Sequence, residues 1–126
     1  MIVGRPLDVR DAASAPTHLA EMLEAAARAA RGGVSLLDVA GEERWYPWAE
    51  IHRRAELVAT ALGALGIEPG DTVAIVLPTS IGFLDAFWGV TLAGAVPVPL
   101  YPPLRLGRLD DWNESTARMV RGARVS

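Results

Sequence analysis

The chain has 126 residues, a length that suits a single domain. Its formal net charge is −3 and its basic residues are all arginines spread along the chain, so the basic stripe that a nucleic-acid partner requires is not expected. Cysteine is absent, which excludes disulfides and thiolate metal sites, and the 2 histidines are too few for a histidine-rich metal site.

Residues 1–16 are mixed in character and contain proline, and we interpret them as a loose lead-in. The pattern that follows predicts a helix from Thr17 to Arg31, with Thr17 as its N-terminal cap and Gly32-Gly33 as its end. Its apolar side chains are expected to share one face: Leu19, Met22, Leu23, Ala26, Ala27 and Ala30.

Val34–Val39 and Arg44–Tyr46 are typical of two short strands joined by a turn, which predicts a hairpin. Pro47 suits the first turn of the helix that follows, and Gly66 is expected to end that helix. The apolar side chains of this helix recur with helical spacing and are expected to face the core: Trp48, Ile51, Ala55, Val58, Leu62 and Leu65. Its polar side chains fall off that stripe and are expected to face solvent: His52, Arg53, Arg54 and Glu56.

The turn Pro69-Gly70-Asp71 leads into Thr72–Leu77, an apolar run that predicts a strand buried on both faces. Ser80 is expected to cap a helix from Ile81 to Ala93, and Ala95–Leu100 is expected to be the next strand. These elements form a βαβ unit, for which we expect parallel strands and a right-handed crossover. One face of the helix carries its larger side chains: Leu84, Phe87, Trp88 and Thr91.

Pro97 and Pro99 lie two residues apart, so their backbone nitrogens point to the same side of the strand. Because proline has no N–H group to donate, that side is expected to be a sheet edge. A fourth helix is predicted over Arg108–Arg121, and residues 123–126 are typical of the start of another strand. Its inward side chains are expected to be Leu109, Trp112, Thr116 and Met119. The expected fold class is therefore a layered α/β fold with a β-hairpin and a βαβ unit of mainly parallel strands flanked by helices.

The turn at Ser80 begins a helix, where free N–H groups can bind an anion. It contains neither of the Gly-rich phosphate motifs, so a simple helix cap is the favoured interpretation. A loose cluster of arginines is a second candidate for an anion site, although a solvated helix face is favoured: Arg105, Arg108, Arg118, Arg121 and Arg124.

The adjacent carboxylates of Glu42-Glu43 and Asp110-Asp111 are expected to diverge or to be solvated, which does not favour acid–base catalysis. Core packing is favoured over a binding face for three tryptophans on apolar stripes: Trp48, Trp88 and Trp112. No residue is assigned a catalytic, cofactor-binding or metal-binding role, and the residues by themselves predict an α/β domain without a visible active site.

Leu65–Pro78 reads LGIEPGDTVAIVLP and resembles the early signature of the adenylate-forming superfamily, which includes acyl-CoA synthetases, fatty-acyl-AMP ligases and peptide-synthetase adenylation domains. Tyr101-Pro102-Pro103, followed by Leu106–Leu109, is similar to the branch that activates fatty acids as acyl adenylates. The resemblance covers residues 17–126 and continues at further positions: Trp45–Ile51, Phe83, Phe87, Gly89 and Ala93–Leu100.

The resemblance implies a ligase that uses ATP and Mg²⁺ to convert a carboxylate to an acyl-AMP and then passes the acyl group to CoA or an acyl carrier. It also implies that later segments supply a phosphate loop, a Mg²⁺-binding acid and a lid lysine. This chain has no matching position for these groups and contains no lysine. We therefore expect no cofactor in this chain alone, and we expect it to be inactive.

Two interpretations stay open. Residues 17–126 form part of the N-terminal subdomain of such a ligase, or the chain is a non-catalytic docking module derived from that family. The end at Ser126, inside a predicted strand, favours the first. A fragment would leave apolar surface uncovered, so self-association is expected. No run approaches the roughly 18 apolar residues of a membrane span and no signal-peptide core is visible, so a cytoplasmic protein is expected.

Overall fold

The computed structural model of the protein describes residues 16–102 and 109–123. In these ranges two two-stranded sheets and the surrounding helices confirm the predicted α/β class. The elements in chain order are α1 (Leu19–Ala29), β1 (Gly33–Leu37), β2 (Glu43–Pro47), α2 (Trp48–Ala64), β3 (Thr72–Ile75), α3 (Ile81–Leu92), β4 (Val96–Pro99) and α4 (Leu109–Gly122). Residues 1–15 of the predicted lead-in at 1–16, and residues 124–126 of the predicted strand start at 123–126, lie outside the described residues.

The cap of α1 differs from the prediction, because His18 and not Thr17 is the N-cap residue. Its Nδ1 accepts a hydrogen bond from the Glu21 backbone N–H at 3.3 Å. Thr17 instead donates its backbone N–H (2.7 Å) and its hydroxyl (2.9 Å) to the Glu21 carboxylate. These two bonds, the backbone bond foremost, lower the pKa of Glu21.

The end of α1 also comes earlier than predicted. Ala30 is the C-cap residue in the left-handed region, with φ 50°, so Gly32-Gly33 does not end the helix. Ala30 is exposed and therefore is not on the core face, whereas Leu23 is almost completely buried. The Ala30 N–H donates to the Ala27 carbonyl, which gives a hydrogen-bond partner to one of the carbonyl groups that the last turn of a helix leaves unpaired.

The hairpin is confirmed, with β1 and β2 antiparallel and Val34 opposite Tyr46. Its turn is stabilised by Asp38, whose Oδ1 accepts from the N–H groups of Ala40 (2.8 Å) and Glu42 (2.9 Å). One face of the hairpin packs on the first core cluster, which consists of Leu23, Val34, Ile51 and Ala55.

Helix α2 confirms most of its predicted stripe. Ile51 and Ala55 are fully buried, and Trp48 packs against the first core cluster. Leu65 is an exception, because it is the C-cap residue beyond the last turn and is largely exposed. The prediction of an inward Leu65 was therefore wrong, since the apolar spacing continues past the point where the helix ends.

The strands β3 and β4 are parallel as predicted, with Val73 opposite Pro97 and Ile75 opposite Pro99. Strand β3 is shorter than expected and ends at Ile75, the only one of its residues to be buried. Val76 and Leu77 are 38% and 41% exposed, so burial on both faces was a wrong expectation for the end of the run. Within the described ranges, the main contacts of β3 are with β4 and α3, which leaves no second covering layer there.

Helix α3 is buried on two sides and does not present a single apolar face. Leu84 and Trp88 pack against the first core cluster, whereas Phe83 and Phe87 pack against a second cluster of Ile75, Val90 and Ala95. The helix therefore joins the hairpin half of the molecule to the β3–β4 half. Its predicted N-terminal cap, Ser80, is confirmed.

Helix α4 occupies the predicted region. Trp112 donates its Nε1–H to the backbone carbonyl of Tyr101 at 2.7 Å, which anchors the helix to the chain that follows β4. Met119 is 44% exposed, so its predicted inward position is wrong. The side chain of Leu109 lies outside the described residues.

Candidate functional site

The β3–α3 turn was the first candidate for an anion site, and the hydroxyl of its cap residue, Ser80, is already engaged. The Ser80 hydroxyl accepts from the Phe83 N–H at 3.2 Å and donates to the Pro78 carbonyl at 3.0 Å. A hydroxyl used in both directions to fix a turn has only weak remaining capacity for a ligand. The geometry therefore supports the helix cap and adds nothing to the anion interpretation.

The strongest electrostatic contact described joins two helices. The Arg54 guanidinium on α2 binds the Asp85 carboxylate on α3 through two bonds, Nε to Oδ1 at 2.8 Å and a terminal nitrogen to Oδ2 at 2.6 Å. The side chains are 33% and 14% exposed. This corrects the sequence prediction, which placed Arg54 on the solvent face. A residue off the apolar stripe of its own helix can still face a partner on another helix.

The hydrogen bonding that Arg54 donates to the Asp85 carboxylate is the main cause that raises the pKa of Arg54, and partial burial opposes it. A bidentate pair of this kind fixes the geometry of the two side chains. The Arg54 guanidinium, with its raised pKa, is therefore not poised to give up a proton. The pair is best understood as a structural clamp between α2 and α3.

An open groove of about 440 Å³ lies between α1 and α2 and is lined by Glu24, Ala27, Arg28, Ala49, His52 and Glu56. Its polar side chains contact partners within their own helices: Arg28 lies 3.6 Å from Glu24, and the His52 ring lies 3.6 Å from the Glu56 carboxylate. Both pairs are exposed to solvent to a substantial degree, where such contacts contribute little. The groove does not bring an acid, a base and a nucleophile together.

The remaining sequence candidates are not assembled into a site by the residues described. Glu42 and Glu43 are exposed, as are Arg118 and Arg121, whereas Arg105, Arg108, Arg124 and the side chains of Asp110-Asp111 lie outside the described residues. In residues 16–102 and 109–123, no group of three or more acidic or histidine side chains is placed to hold a metal ion. None of the helices described has both the length and the apolar character to cross a bilayer.

The tryptophans support the packing interpretation. Trp48 and Trp88 pack against the first core cluster, and Trp112 is held by its bond to Tyr101. Trp45 is more than half exposed on the outer face of the hairpin. The described arrangement is therefore a packed scaffold, in which internal contacts engage the Ser80 hydroxyl and the Arg54 guanidinium.

Comparison with known proteins gives a consistent result. Residues 23–120 match the family model described as AMP-binding enzyme. The chain is 38% identical over 109 residues to a salicyl-AMP ligase / salicyl-S-ArCP synthetase of Mycobacterium tuberculosis, covering 84% of this chain and 17% of that protein. It is 45% identical over 56 residues to Disco-interacting protein 2 of Drosophila melanogaster, covering 44% of this chain and 3% of that protein.

A solved structure from a study of the fatty acyl-adenylate ligases of E. coli and L. pneumophila superimposes with a TM-score of 0.80 at 30% identity. The match covers 90% of this chain and 20% of that one. The chain therefore spans a fifth or less of the length of these relatives.

Proposed function

The chain belongs to the family of AMP-binding enzymes, and we propose on this basis that residues 17–126 form part of the amino-terminal subdomain of an ATP-dependent acyl-activating ligase. The observation that carries the proposal is the superposition of 90% of the chain on 20% of a fatty acyl-adenylate ligase. The chain has the fold of one portion of such an enzyme, and the match covers 20% of that enzyme's chain.

The proposed reaction belongs to the complete ligase. A fatty acid or another carboxylate displaces pyrophosphate from ATP to give an acyl-AMP, and the thiol of CoA or an acyl carrier then takes the acyl group and releases AMP. A fatty acid is the favoured substrate because a fatty acyl-adenylate ligase shares the fold over most of this chain.

The residues described do not fit ATP or Mg²⁺. The Ser80 hydroxyl is engaged within its turn, and Arg54 is neutralised by Asp85. Adenylyl transfer depends on positioned positive groups and on acids that hold the metal. We therefore assign no step of the reaction to these side chains and propose that the chain alone is inactive. Its role is to build the α2–α3 scaffold on which other parts of the ligase pack.

A non-catalytic docking module derived from the same family is the second candidate. It is favoured by the 45% identity to a protein named for an interaction, Disco-interacting protein 2. The two candidates differ in what the gene encodes after Ser126. A continuing frame with a phosphate loop and a lid lysine would support the ligase, and a stop codon there would support the module.

The functional test follows from the same difference. The protein encoded by a continuing frame should catalyse carboxylate-dependent exchange of pyrophosphate into ATP, and its preferred acid identifies the substrate class. We also propose that the 126-residue chain self-associates, because apolar side chains are exposed at both ends of its β3–β4 sheet: Val76 and Leu77 beyond the carboxyl end of β3, and Val96 at the start of β4.

A further inference from the structure

The two edges of the β3–β4 sheet differ in their capacity to pair. The N–H groups of Val96 and Leu100 donate to the carbonyls of Asp71 and Ile75 at 2.7 and 2.9 Å, so this side of β4 faces β3. Successive backbone groups of a strand alternate in direction, which turns Pro97 and Pro99 outward. Proline has no N–H to donate, so the outer edge of β4 cannot form a regular ladder.

The outer edge of β3 has no such block. By the same alternation, Val73 and Ile75 direct their backbone groups to β4, whereas Thr72, Ala74 and Val76 direct theirs away from it. In the described ranges β3 has its main contacts only with β4 and α3. Among the residues described, the outward N–H and C=O groups therefore form an open edge of the kind that templates pairing with another strand.

The sequence of this edge is suited to pairing between chains. Thr72–Leu77 reads TVAIVL and contains no charge, proline or glycine. Short segments with high β-propensity and no charge are those that stack strand on strand. Val76 and Leu77 extend the segment beyond β3 with partly exposed apolar side chains.

We propose that the open edge of β3 pairs with β3 of a second copy of the chain, antiparallel and around a two-fold axis at Ala74. This proposal deepens the self-association proposed above and does not depend on the adenylation chemistry. The two sheets would join into one four-stranded sheet, with Ala74 opposite Ala74 of the second copy and Thr72 opposite its Val76.

A second copy fits this edge because the segment is self-complementary. In the register centred on Ala74, Val73 lies opposite Ile75 of the second copy, and both side chains are β-branched, which suits a strand. No like charges meet, and the outward groups of the two strands can form about six backbone hydrogen bonds. Since each copy has one open edge and one proline-blocked edge at this sheet, pairing by a two-fold axis closes at a dimer.

Light scattering over a dilution series tests the proposal, with Val76→Lys as the disrupting variant. An edge lysine opposes pairing between strands, and Val76 is partly exposed and lies beyond the end of β3, so the fold should survive. Val39→Lys is the matched control, because Val39 is fully exposed in the hairpin turn. We expect a dimer whose dissociation constant rises at least about tenfold in Val76→Lys and stays unchanged in Val39→Lys.

A cross-link gives a second readout that does not depend on the lysine variant. The chain has no cysteine, so Ala74→Cys introduces a single thiol at the proposed axis. Directly opposed residues of an antiparallel pair have Cα atoms roughly 4.5–5.5 Å apart, within the range of a disulfide. Mild oxidation should link Ala74→Cys into a dimer but leave Ala29→Cys, at an exposed position of α1, largely unlinked.

Three results would overturn the proposal: a monomer at the highest attainable concentration, association that Val76→Lys leaves intact, or open-ended aggregates in place of a dimer. None of these results bears on pyrophosphate exchange by the longer ligase, so the two proposals can fail separately.

Discussion

Gly89 of α3 lies against Val58 of α2 so closely that a Cβ atom built on Gly89 would come within 2.5 Å of the Val58 Cβ. The same atom would lie 3.3 Å from the Ala55 carbonyl oxygen. Side chains larger than hydrogen cannot occupy this position unless the helices move apart. Because α2 and α3 have the most extensive contact described between any two elements, this crossing is central to the fold.

Gly89→Ala should therefore destabilise the protein, although alanine is the better helix former. Overpacking of a tight contact costs about 1–3 kcal/mol, more than the roughly 1 kcal/mol that alanine contributes to a helix. Gly63→Ala on α2 is the control, because a Cβ there meets nothing within 4 Å. Chemical denaturation should show a lower free energy of unfolding for Gly89→Ala and an unchanged or higher one for Gly63→Ala. If neither variant were less stable than the unchanged protein, the helix crossing would be looser than described.

Arg54→Asp should destabilise the protein because it places a carboxylate opposite Asp85. Breaking a fully buried pair costs about 3–5 kcal/mol, and partial exposure of Arg54 reduces the expected loss to about 1–3 kcal/mol. Arg53→Asp, at an exposed position of the same helix, should have little effect. The exchanged pair Arg54→Asp/Asp85→Arg should recover part of the loss. Equal thermal midpoints for the two single variants would mean that the pair does not clamp α2 to α3.

Val58→Asp should unfold the domain, because an unpaired carboxylate at the α2–α3 crossing costs several kcal/mol out of a total stability of roughly 5–15 kcal/mol. The neighbouring Leu57 is 62% exposed and provides the matched control. Leu57→Asp should change stability by about 0.5 kcal/mol or less. Circular dichroism on heating distinguishes the two; a folded Val58→Asp variant with an unchanged midpoint would place the core face of α2 elsewhere.

Ser80→Ala should lower stability by about 1 kcal/mol, because it removes the acceptor that caps α3 at the Phe83 N–H. Thr79→Ala, at the exposed neighbouring position, should be close to neutral. Inorganic phosphate should not raise the Tm of the unchanged protein. A rise in Tm with phosphate that disappears in Ser80→Ala would instead favour the anion site.

Local chemistry made much of the fold predictable. A few neighbouring residues were enough to predict each of four features: the hairpin, the Ser80 cap, the parallel β3–β4 pair and the outward prolines. The Arg54–Asp85 pair could not be read in this way, because its members are 31 residues apart on different helices. The end of β3 at Ile75 was missed for a related reason. The extent of a strand is set by its partners, and the apolar run is longer than the strand that pairs with β4.

The candidate site was predictable only in outline. The sequence assigned no catalytic residue, and that assignment stays a prediction, because part of the chain lies outside the described residues. The family, in contrast, could be inferred from the Leu65–Pro78 segment, which builds the turn and strand of the βαβ unit. Fold-building residues thus carried the family resemblance, whereas we propose that the groups that perform chemistry in the family lie in other parts of the ligase.

ATP–pyrophosphate exchange by the purified 126-residue chain decides whether these residues contain a working active site. The exchange is assayed with a series of fatty acids, on protein free of host ligases. We expect no exchange above the buffer blank with any acid, because we propose that this chain supplies scaffold and that the groups that stabilise adenylyl transfer lie in other parts of the ligase. Exchange that requires the fatty acid and scales with the amount of this chain would contradict this expectation, and would place a working active site within these residues.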